Sequence, residues 1–76
     1  MAKRISPKNI GHMFELRFHG THPSEDRWDF YTLIKFEGEG EDARATFKDE
    51  HIEWEAYRFA GHWAYGSSGD RLSVCK

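Results

Sequence analysis

The chain has 76 residues, 38% of them hydrophobic and 32% charged, with a single cysteine and a net charge of −2. That length is one domain. One cysteine rules out an internal disulfide, and no apolar run is long enough to read as a membrane-spanning helix. Met1–Arg4 is basic but no apolar stretch follows it as in a secretory leader, so a cytoplasmic protein is expected. Three Trp, three Tyr and six Phe supply the bulk for a small core, because each aromatic ring buries a large area.

Residues 1–12 are polar and basic, with Pro7 and Gly11, and read as a flexible arm; residues 13–76 read as the globular domain. Phe14, Leu16 and Phe18 alternate with Glu15, Arg17 and His19, the pattern of a strand with one apolar face. Gly20–Arg27 is a loop by composition. Trp28–Glu37 is the strongest strand. Trp28, Phe30, Ile34 and Phe36 share one face of it, and Asp29, Tyr31, Leu33, Lys35 and Glu37 the other. Gly38 and Gly40 mark a turn, after which Ala43–Phe47 returns as a shorter strand.

The stretch from Asp49 to Ala60 fits two periods. As a helix it places Ile52, Ala56, Phe59 and Ala60 on one side, with Asp49 as cap and Gly61 just past the end. Trp54 then falls on the polar side. As a strand, Ile52, Trp54 and Ala56 alternate with Glu53, Glu55 and Tyr57. The cap signals favour the helix. His62–Tyr65 and Arg71–Cys75 flank a Gly/Ser loop and read as a hairpin, with Leu72 and Val74 facing the core. The expected class is α+β: an antiparallel sheet of four to five strands with one helix near 49–60. An all-β meander or small barrel is the alternative.

Charge is uneven along the chain. Residues 1–20 carry a net +3, whereas residues 37–55 carry eight acids against Arg44 and Lys48, a net −6. An acidic stretch repels phosphates and attracts basic protein surfaces. The spacing of His19 and His22 is that of a metal-ligand pair, but nothing brings a third ligand to it, and no metal or other cofactor is expected. Gly66-Ser-Ser-Gly69 matches neither a nucleophile elbow nor a phosphate loop, and carboxylates around a glycine turn have no pocket to tune them. The chain is therefore not expected to be an enzyme.

The expected function is a small protein-binding module that acts by occlusion through its acidic segment. The contact residues would be Glu37, Glu39, Glu41, Asp42, Glu50 and Glu53, with Trp54 and Tyr57 as aromatic hot spots. The expected partner is a protein with a basic surface, and a phage-type inhibitor of a host nucleic-acid machine such as a defence complex fits that description. The alternative is a single-strand nucleic-acid binder. Its base-stacking platform would be drawn from Trp28, Tyr31, Trp54, Tyr57, Trp63 and Tyr65, and its phosphate contacts from Lys3, Arg4, Lys8 and Arg17. Either a monomer or a homodimer is consistent with so small a core.

Overall fold

Six strands follow one another, each antiparallel to the next, and the last closes on the first in the computed structural model, which describes residues 4–20, 27–66 and 69–75. They are β1 (Met13–His19), β2 (Arg27–Glu37), β3 (Arg44–Lys48), β4 (Glu53–Phe59), β5 (His62–Tyr65) and β6 (Arg71–Val74). Closure runs through β1 and β6, where Leu16 faces Val74 and Phe18 faces Leu72. An up-and-down barrel leaves no unpaired sheet edge.

The expected α+β class is therefore corrected. No α-helix occurs among the described residues, and Glu53–Phe59 is a strand paired with β3 on one side and β5 on the other. Ile52 and Phe59, which a helix would have turned inward, are 47% and 61% exposed. Both cap signals have other uses here. Asp49 Oδ1 accepts the backbone N–H of His51 and of Ile52, each at 2.8 Å, which is the bonding of an N-cap used to close the β3–β4 turn. Gly61, at φ +81°, follows Ala60 at φ +50° in the two-residue turn between Phe59 and His62. Positive φ at both central positions is the mark of the type I′ hairpin turn.

The barrel interior is filled from every strand except β5 by fully or nearly fully buried side chains: Phe14, Leu16 and Phe18 of β1, Tyr31 and Leu33 of β2, Ala45 and Phe47 of β3, Trp54 and Ala56 of β4, and Leu72 of β6. Tyr65 of β5 packs against this cluster from its edge. Each fully buried Phe or Leu contributes about 1.5–3 kcal/mol relative to exposure. The N-terminal residues read as an arm carry Ile5, which is buried in the same cluster. A 3₁₀ turn over Pro7–Asn9 follows, and the chain is then tied to β2: the Gly11 N–H donates to the Leu33 carbonyl and the Leu33 N–H to the His12 carbonyl.

β2 changes face along its length. Leu33 faces Phe47 but Lys35 faces Thr46, so Ile34 is an extra residue without an opposite number on β3. Such a bulge flips the alternation. Before it the odd residues Tyr31 and Leu33 point inward; after it the even residue Phe36 does, packing edge-on to Trp63 at 6.0 Å. The grouping of Trp28 and Phe30 with Phe36 on one face is thereby overturned: Trp28 and Phe30 are more than half exposed on the outside of the barrel.

Candidate binding surface

The outer face of β1 and β2 collects the largest exposed apolar side chains that sit together. On β1 the outward residues are Met13, Glu15, Arg17 and His19; on β2 they are Trp28, Phe30 and Thr32. Their order is set by the ladder, in which Met13 faces Thr32, Glu15 faces Phe30 and Arg17 faces Trp28. Met13, Trp28 and Phe30 are each more than half exposed. The Arg17 guanidinium lies over the Trp28 ring, 5.0 Å from its centre, so the cation and the indole present one amphipathic surface. His19 continues the row, its Nε2 2.8 Å from Ser73 Oγ on β6.

Beside Phe30 an open groove of about 570 Å³ runs from Met13 and Thr32 to the β3–β4 turn, where Lys48, Asp49, Glu50 and His51 line it. Asp29 forms part of its wall. Its Oδ1 accepts the Phe30 N–H at 2.8 Å, fixing the carboxylate against the strand. Tyr31, whose ring is in the barrel, has its hydroxyl 3.5 Å from Asp29 Oδ2. Burial, and then the charges of Asp29 and Asp49, push its pKa above the usual phenol value. The backbone donors of Ile52 and His51 hold the Asp49 carboxyl below the usual carboxylate value.

The acidic residues expected to form one contact face are split by the fold. Glu37 ends β2, and Glu39, Glu41 and Asp42 lie in the β2–β3 connection, all exposed. At the opposite end of β3, Glu50 lies in the β3–β4 turn and Glu53 opens β4. The five residues of β3 separate the two groups by about 17 Å. Bases are interleaved with them: Arg44 faces Glu37, Lys48 faces Glu53, and Lys35 Nζ is 2.9 Å from Glu37 Oε1. That hydrogen bond, with the charge of Glu37, pushes the Lys35 pKa up.

Of the two aromatic residues grouped with the acids, Trp54 is 8% exposed and central to the core, so its ring is not available to a partner. Tyr57 is half-buried on β4 with the Arg44 guanidinium 5.6 Å from its ring centre. Of the basic residues assigned to phosphates, Arg17 belongs to the β1–β2 face. Arg4 and Lys8 are exposed on the N-terminal segment, and Lys3 lies outside the described residues. Of the suggested stacking platform, Tyr31 is buried with Trp54, Trp63 and Tyr65 pack against the core cluster, and only Trp28 stands clear on the surface. Phe30 and Met13 escaped the sequence reading. The sole local sign was that both faces of β2 carried bulk, which a bulge resolves.

No family model, curated protein or solved structure matches the chain.

Proposed function

We propose that this protein is a non-catalytic binding module whose partner is another protein, and that its contact surface is the outer face of β1 and β2 rather than the acidic segment. The observation that carries this reading is the cluster of Met13, Trp28 and Phe30, each more than half exposed, with Arg17 stacked on the indole. Aromatic residues, Met and Arg are the residues enriched at protein interfaces, and contiguous exposed apolar patches mark interaction sites. Arg17 is balanced by Glu15 on the same strand, and in the groove Lys48 stands among Asp29, Asp49 and Glu50, so the face lacks the basic excess that phosphates require. The module would act by covering a surface of its partner. The exposed acids of the β2–β3 connection would form a charged rim that favours a partner with basic residues around the contact.

Site-specific photo-crosslinking tests this. A benzophenone side chain replaces Phe30 in one variant and Glu39 in another, each expressed in the native cell. A discrete adduct with a different protein, not a second copy of this chain, is expected from position 30, lost in a Trp28→Ser variant that stays folded by circular dichroism. An adduct from position 39 alone would return the contact to the acidic turn. Quenching of tryptophan fluorescence by single-stranded oligonucleotide, weakening steeply with salt, would replace the reading with base stacking on Trp28 and Phe30.

A further inference from the structure

The β1–β2 face is complementary to itself. Glu15 and Arg17 sit two residues apart on β1, and directly opposite them on β2 sit Phe30 and Trp28. A two-fold axis lying in the plane of the face, perpendicular to the strands and level with Leu16, reverses the strand direction. It stacks β1 on β1 of a second copy and β2 on β2. Glu15 then meets Arg17 of the second copy, twice by symmetry, and Phe30 meets Trp28, also twice. At the ends of the row Met13 meets His19. Opposite charges coincide, aromatic rings coincide, and no like charges on these two strands are brought together. A face with the same residues in another order, Glu15 opposite itself for example, would not have this property.

We propose that two copies of this chain pair through the outer face of β1 and β2 in that antiparallel two-fold arrangement, so that self-association covers the surface assigned above to a partner. It rests on that reading only in using the same face. An isologous interface needs one self-complementary patch, and aligned packing of two sheet faces is a common geometry. Size sets its strength. A stable interface takes about 800 Å² from each partner, roughly a seventh of the 5285 Å² surface of this chain. Seven residues of β1 and the adjoining part of β2 make a strip about 20 Å long and two strands wide, well short of that. The dimer is therefore weak and in rapid exchange, and a partner offering a larger contact displaces it.

Sedimentation equilibrium of the purified chain over rising concentration is the test. The weight-average mass is expected to climb from the 9.0 kDa of one chain towards twice that value. Glu15→Arg places like charges opposite each other twice and is expected to hold the mass at the monomer value. Glu15→Arg with Arg17→Glu restores the pairing and is expected to restore the climb. Phe30→Lys, at an exposed position, gives a second route to the monomer should the Glu15 variant fail to fold. A mass of one chain at every concentration overturns the proposal, as does a double variant that stays monomeric while folded. The outcomes separate the two readings: a monomer that still gives a foreign adduct from position 30 removes the dimer and keeps the partner, and a dimer with no foreign adduct does the reverse.

Discussion

The Trp54 and Tyr65 rings lie nearly parallel, 10° apart, with centroids 5.0 Å from each other. On its other side Trp54 stacks on Phe47 at 5.1 Å and 27°, and Tyr31 meets it edge-on at 5.1 Å. One side chain of β4 thus holds together β2, β3 and β5. Its indole Nε1 is buried without a hydrogen-bond partner among the described residues.

Trp54→Ala is expected to lose about 3–5 kcal/mol, the range for emptying a core of an aromatic ring, which is a large part of what a domain this small has. Trp54→Phe keeps the stack and removes the unpartnered N–H, whose burial costs about 1–3 kcal/mol. It is expected to stay folded and to lie much nearer the parent than the alanine variant. Urea unfolding followed by circular dichroism checks both.

Ala60 occupies a left-handed position, φ +50°, at the first place of the β4–β5 turn. A residue with a Cβ and no side-chain hydrogen bond is disfavoured there by about 1–2 kcal/mol, whereas Asn-Gly is the preferred pair. Ala60→Asn is expected to raise the urea midpoint with an unchanged m-value. An equal or lower midpoint would show that the turn does not have this backbone.

Gly38 and Gly40 make contrasting demands. Both have positive φ, but a Cβ on Gly38 would stand 2.6 Å from the Asp42 carbonyl oxygen, while one on Gly40 meets nothing within 4 Å. Gly38→Ala is expected to cost more than Gly40→Ala, whose loss is limited to the left-handed penalty of about 1–2 kcal/mol. Equal losses in parallel unfolding curves would contradict the close approach that forms the β2–β3 connection.

Asp49 ties stability to pH. Its carboxyl is held below the ordinary value of 3.8 by backbone donors in the folded state. A lowered folded pKa means that the ionised form stabilises the fold above that value, and that this contribution fades as pH falls through the folded pKa. Asp49→Asn, whose amide oxygen accepts the same N–H groups but does not titrate, is expected to lack this part of the acid-induced loss. Melting temperatures of both proteins between pH 2 and pH 6 read it.

β1 was legible because Phe14, Leu16 and Phe18 alternate without interruption, and the β5–β6 hairpin because its two strands flank a run of turn residues. The stretch from Asp49 to Gly61 was legible in its residues and misleading in its class. An aspartate that accepts backbone N–H groups and a glycine with positive φ end helices and close hairpins alike, so local chemistry did not distinguish them. The misfit of Trp54 on the helical wheel was the informative sign. The distribution of acids was equally clear along the chain, yet β3 places Arg44 and Lys48 between the two groups.

By itself the sequence determined a small, aromatic-rich domain with antiparallel strands, because period-two alternation and turn residues act within a few positions of one another. Tertiary structure alone decided that 53–59 is a strand, that the sheet closes on itself, and that Trp28 and Phe30 face out while Phe36 faces in. Each of those depends on which strand lies alongside. Pairing of β4 with β3 and β5 satisfies its backbone donors and acceptors as fully as a helix would, and buries Trp54 besides. The one-residue shift at Ile34 against β3 sets the faces of β2, and no neighbour in the chain encodes it. The proposed contact surface follows from the pairing with β1, which sets Glu15 opposite Phe30 and Arg17 opposite Trp28; the shift at Ile34 is what lets Phe36 of the same strand face inward.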